Sequence, residues 1–112
     1  MKRGDIWWAD LPEPLWSGPG FRRPVLIVQS DLFNRSQIGT VLVIPFTSNL
    51  RLADAPGNVM VARSASGLGR DSVANVSQVL ALPKSALTER VETLPRSLQR
   101  DVNAGLKLVL AL

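Results

Sequence analysis

Apolar positions along the chain fall into two kinds of run: short blocks with period two or no gaps, and a final stretch with a period near four. "GDIWWADL" gathers β-formers at Ile6, Trp7 and Trp8 and predicts a first strand. "PVLIVQ" and "TVLVIPFTSN" are nearly continuous apolar runs, as expected of strands covered on both faces. Pro45 lies inside the second of these, and proline cannot donate to a ladder, so that strand is expected to bend or end near Phe46. "GNVMVA" and "DSVANVSQVLAL" predict two further strands with a turn at Gly67 and Gly69, and "LTERVETL" predicts one more with a charged outer face. "PEPLWSGPG" holds three prolines and two glycines and predicts a long exposed loop, while Ser30 in "SDLFNRS" is placed to cap a brief helical turn. Leu94, Leu98, Val102, Leu106 and Leu110 then recur every four residues behind Pro95, which suits a first helical turn. A C-terminal amphipathic helix is predicted.

Strands followed by one helix imply an α+β fold: a small, strongly bent, mostly antiparallel barrel with the helix packed against one side. The 112 residues suffice for one core, so a single domain spanning 1–112 is expected. No apolar run approaches the roughly 18 residues that span a bilayer, and "MKRGDIWW" lacks the apolar stretch of a signal peptide. A cytoplasmic protein is the expectation, in keeping with the absence of cysteine.

Composition narrows the chemistry. The chain has no histidine, cysteine or tyrosine, which removes His-paired nucleophiles, histidine metal sites and any side chain that ordinarily titrates near neutrality. Neither a metal nor a cofactor is expected, and an enzyme of this composition needs a substrate that brings part of the chemistry itself. Net charge is +4, and its distribution matters more than its size. Residues 21–70 hold Arg22, Arg23, Arg35, Arg51, Arg63 and Arg70 against Asp31 and Asp54, whereas both ends of the chain are nearly neutral. Every base in that segment is arginine, whose planar fork matches phosphate oxygens two at a time; a solvated arginine-rich surface would read the same way.

The candidate residues sit where predicted strands begin and end. Arg22 and Arg23 close the glycine-rich loop and open a covered strand, Thr47, Ser48 and Asn49 follow the proline, and Asn75, Ser77 and Gln78 alternate with valines. Taken singly, each has an ordinary explanation: a snorkelling arginine, turn chemistry, or a polar strand face. Of Trp7 and Trp8, adjacent on a strand, one should fill the core and the other lie on the surface, where it could stack a base or pack on a partner. Trp16, in the loop beside the arginines, has the same choice between stacking and partial burial.

Taken in order, "KRGDIWWADL", "RRPVLIVQSDLFNR", "VIPFTSN", "GLGRDSVANVSQV" and "LTERVETLP" resemble the successive blocks of the MazF, Kid and PemK toxins of bacterial toxin–antitoxin modules. The resemblance runs from about Lys2 through the final helix, and "RGDIW" followed by "RPVLIV" is its most specific part. It implies a small SH3-like barrel, shared with the CcdB toxins, that forms homodimers and cleaves single-stranded RNA without a metal. It also implies a cognate antitoxin with an acidic, disordered tail. By the family pattern Arg23 and Thr47 are the catalytic pair, and Arg22, Ser48, Asn49, Ser77, Gln78 and Trp16 would contact RNA. Many members carry a carboxylate where this chain has Gly18 and another where it has Ser77, so the resemblance assigns no general base here. RNA supplies its own nucleophile, the 2′-hydroxyl, which fits a chain without histidine. A gyrase-poisoning toxin on the same barrel, or a silent RNA- or antitoxin-binding module, stand as the alternatives.

Overall fold

A computed structural model describes residues 1–11 and 22–112. The predicted loop of residues 12–21, with Trp16 and Gly18, lies outside them. Among the described residues seven strands form: β1 (Asp5–Asp10), β2 (Arg22–Ile27), β3 (Thr40–Thr47), β4 (Val59–Val61), β5 (Ser72–Ala74), β6 (Leu80–Pro83) and β7 (Leu87–Thr93). Two four-residue helices, α1 (Asp31–Asn34) and α2 (Arg63–Ser66), lie in the connections, and α3 (Arg96–Leu110) follows the last strand. Ser30 caps α1 as expected, its hydroxyl accepting from the Leu32 N–H, and Pro95 stands at the N-cap of α3.

All strand pairs are antiparallel, in the order β4–β5–β3–β2–β1–β7 with β6 also on β3. The sheet curls, so that β6 and β7, held on β3 and β1 respectively, are joined by one short 3₁₀ turn at Lys84–Ala86. Curling gives the sheet two apolar faces. Ile6, Leu26, Ile44 and Phe46 pack beneath α3 with Leu94 and Val102, whereas Ala9, Val25, Ile27, Val41, Val43 and Leu82 fill the concave side. Two covered faces change the expectation for the tryptophans. Trp8 packs on the first cluster and Trp7 on the second, both half-buried, so neither is the freely exposed partner of a buried one.

β3 does not end at its proline. It pairs with β6 from Thr40 to Val43 and with β5 at Phe46 and Thr47, exchanging one neighbour for the other around Pro45. The Pro45 carbonyl accepts from the Asn75 N–H in the gap between those two strands. A residue without an N–H is tolerated there because the ladder is already interrupted.

The interruption also corrects the reading of "DSVANVSQVLAL" as one strand. The segment forms β5, a 3₁₀ turn at Val76–Gln78, and β6. Asn58 makes that turn: its amide donates to the Leu52 carbonyl (2.9 Å) and to Asn75 Oδ1 (3.1 Å), and its Oδ1 accepts from the Val76 N–H (2.9 Å). Asn75 is thus tied into the framework, while Ser77 and Gln78 are exposed on the turn rather than on a strand face.

α3 lies close against the segment before β4. A Cβ on Gly105 would strike the carbonyl oxygen of Gly57, itself at φ +86°, so two glycines allow the helix its seat. No helix among the described residues is long and apolar enough to cross a membrane.

Candidate active site

The β2–β3 register brings the two arginines and the threonine together. Val25 pairs with Pro45, Leu26 with Ile44 and Ile27 with Val43. Continued two residues past its last pair, that register sets Arg23 opposite Thr47, on the same side of the sheet as Val25 and Val43. Hydrogen bonding stops before they meet, because β3 has turned toward β5. A cleft of about 460 Å³ opens at this point.

Arg22, Arg23, Thr47 and Ser48 all line it, joined by Trp8 and Arg70. Its walls differ in kind. Trp8, Pro24, Phe46 and Leu68 form an apolar side, while Arg22, Arg23 and Arg70 supply three guanidiniums with no carboxylate among the described lining residues.

Each polar group has a distinct state. Arg22 lies over the Trp8 ring, 4.6 Å from its centroid, and donates to Glu89 on β7 at 3.0 Å, so its side chain is steered from two directions. Arg23 is the more deeply set of the pair: its Nε is buried and has no hydrogen-bond partner among the described residues. A buried donor left unpaired costs about 1–3 kcal/mol, a cost removed when an acceptor arrives. Thr47 Oγ1 accepts from the Asn49 N–H at 3.2 Å, which fixes the oxygen and leaves its own O–H to donate. Asn49 in turn caps the next 3₁₀ turn, Oδ1 accepting from the Arg51 N–H at 3.3 Å, and does not line the cleft.

Ser77 and Gln78 are likewise absent from the lining, and Trp16 lies outside the described residues. The sequence left open which of Trp7 and Trp8 could stack a base, and it offered Arg70 only as one of six arginines in residues 21–70, without placing it at the cleft. Arg70 had a signal: it ends "GLGR", where α2 is closed by Gly67 in the left-handed conformation, φ +74°. That reversal brings the turn back beside Thr47.

This arrangement can hold a phosphate between fixed cations and a hydroxyl donor, with a base against the apolar wall. Comparison with known proteins agrees in kind. Endoribonuclease MazF6 of Mycobacterium tuberculosis is 46% identical over 112 residues, which is all of this chain and 98% of that protein. Endoribonuclease EndoA of Bacillus subtilis is 34% identical, over all of this chain and 96% of its own. Among solved structures, an endoribonuclease in complex with its cognate antitoxin from a mycobacterial species superposes with a TM-score of 0.81 at 25% identity, covering 100% of this chain and 96% of that one. A MazE–MazF complex from Deinococcus radiodurans gives 0.80 at 20% identity, over 100% and 96%, a likeness of fold. Residues 2–110 match the family described as PemK-like, MazF-like toxin of type II toxin–antitoxin system, and the chain belongs to that family.

Proposed function

We propose that this chain, as one toxin domain of residues 1–112, cleaves single-stranded RNA at the Arg23 cleft without a metal. The observation that carries the reading is that Arg23 and Thr47 line one cleft, set opposite each other by the continued β2–β3 register, with the Arg23 Nε unpartnered among the described residues. Arg23 binds the scissile phosphate and stabilises the charge that grows as the adjacent 2′-hydroxyl attacks phosphorus and the 5′-oxygen leaves. Thr47 donates to a phosphate oxygen or orients the 2′-hydroxyl. Arg22 and Arg70 add positive potential, and Trp8 with Phe46 gives a base an apolar surface. An arginine with a pKa above about 12 is a poor base, so the role of Arg23 is electrostatic.

The relatives named as endoribonucleases, 34–46% identical over the whole chain, support this reading over gyrase poisoning or silent binding. Ser48, on the cleft lining, would contact the RNA there, Asn49, Ser77 and Gln78 would contact it beyond the cleft, and Trp16 is proposed as a further RNA contact. A cytoplasmic homodimer neutralised by a cognate acidic antitoxin completes the proposal. The solved antitoxin complexes of family members support the antitoxin, and exposed Met60, Leu108 and Leu110 supply apolar surface for the dimer.

The test is incubation of purified protein with a long, unstructured RNA in EDTA beside Arg23→Ala, with cut ends mapped by primer extension. Discrete cuts lost in the variant are expected. Intact RNA, or cuts that persist in the variant, would overturn the assignment. A deoxyribose at the scissile nucleotide should also abolish cleavage.

A further inference from the structure

Five residues on from Arg23, just past the end of β2, lies Val28, whose carbonyl accepts from Arg3 Nε at 2.8 Å. At about 3.4 Å per residue that end lies roughly 17 Å from the cleft. A second cavity opens there, about 760 Å³, between the chain's first residues and the start of α3. Arg3, Arg96 and Arg100 line it, with the amides of Gln99 and Asn103 and one carboxylate, Asp31.

The carboxylate does not spend the guanidiniums. Asp31 Oδ1 accepts from the Arg3 backbone N–H (2.7 Å) and the Asn34 amide (3.1 Å), and among the described residues none of the three arginines forms an ion pair. Those bonds, with Arg35 and Lys2 adding attraction, hold the Asp31 carboxyl below the usual carboxylate range. Three cations against one engaged anion leave the cavity electropositive. Among the described residues its cations are all arginine, its apolar lining is limited to buried Leu94 and exposed Pro95, and no aromatic ring borders it. Without apolar anchors it suits a peptide poorly. Without a stacking surface it suits a base poorly too. What remains is an oxyanion matched by guanidinium forks.

We propose that this cavity is a second phosphate site, which holds the backbone of the same single-stranded RNA whose scissile phosphate lies in the Arg23 cleft. The proposal rests on the ribonuclease reading. Stacked nucleotides advance about 3.4 Å each, so about five would cover that straight distance, and the path over the surface is longer because the core clusters cover β2 between the two sites. The contact carries no base recognition and lengthens the footprint by charge alone.

The test uses Arg96→Gln/Arg100→Gln, both exposed side chains without partners among the described residues. Two RNAs centred on a mapped cut are compared by fluorescence anisotropy, one about fifteen nucleotides long and one of about four, too short to span the gap. Both carry a deoxyribose at the scissile nucleotide, and their all-ribose forms are used to follow cleavage. The variant should bind the long RNA about tenfold more weakly near 0.1 M salt, with a log–log salt slope smaller by about 1.4, two contacts' worth. Cleavage of the short RNA should be unchanged, which also certifies the fold. Long-RNA affinity and slope equal to wild type overturn this proposal alone. Wild-type protein that leaves a long, unstructured RNA intact, and so gives no cut to map, overturns the ribonuclease reading and this proposal with it. If the variant instead loses affinity for a poly-glutamate peptide while long-RNA binding stays intact, the site belongs to an acidic partner and the proposal is wrong.

Discussion

The two ends of β2 both present arginines, and they differ in what surrounds the charge. At the cleft end, Arg23 Nε is buried, Arg22 is stacked on Trp8, and a hydroxyl held by a backbone N–H stands across the register. At the far end, Arg96 and Arg100 are exposed on the first turns of α3 and line a cavity shared with the Gln99 and Asn103 amides. In water the pull between charges is weak, and enclosure strengthens it several-fold. A set guanidinium can therefore favour one charge distribution over another, which is chemistry, while a free one merely favours an anion nearby, which is tracking.

The largest expected effect tests the enclosed end. Arg23→Ala should lower single-turnover cleavage by at least about 10²-fold while long-RNA affinity falls much less. An equal fall in both would erase the distinction between the ends. Next comes the frame that separates them. Gly105→Ala would gain about 1 kcal/mol of helix propensity, but its Cβ meets the backbone oxygen of Gly57, and overpacking against backbone costs about 1–3 kcal/mol or more. The clash should win, with a thermal midpoint several degrees lower by circular dichroism. Thr47→Val, which keeps shape and removes the donor, should reduce cleavage roughly tenfold with little change in stability, since Thr47 is half-exposed. Trp8→Leu should free Arg22 from its stack, and a change of about two- to fivefold in RNA affinity is expected from a contact of about 0.5–1 kcal/mol.

The smallest effect concerns Asp31 at the tracking end. Its carboxyl is held low, first by the Arg3 N–H and then by the Asn34 amide, so its contribution to stability is complete above the unfolded value of about 4. That contribution is lost as pH falls through the lower folded value. Thermal melts should show a modest decline below about pH 4 that Asp31→Asn flattens.

Much of this was legible because it is local. The β2 and β3 runs, the Ser30 cap and the α3 period are each written within a dozen residues, and they place Arg23 and Thr47 near the cleft once the strands pair. The break between β5 and β6 was illegible because its cause, Asn58, lies seventeen residues from the Asn75 it grips. Valines at positions 73, 76 and 79 continue an apolar pattern straight through a turn. Trp7 and Trp8 misled for a related reason: alternation assigns sides to a strand, and only the curl of the whole sheet decides that both sides are covered. Arg70 needed tertiary information too, since nothing within "SGLGRD" names the strand beside which it returns.

The neighbour exchange at Pro45 carries a mechanical consequence. Arg23 is borne by the broad sheet of β1, β2 and β7, whereas Thr47 is borne by the narrow one of β3, β4 and β5, and among the described residues no hydrogen bond spans the pair. The gap between phosphate holder and hydroxyl is thus the opening of a pair of calipers, with its pivot at a proline outside the cleft. The width of that gap is set by where β3 leaves β2 for β5.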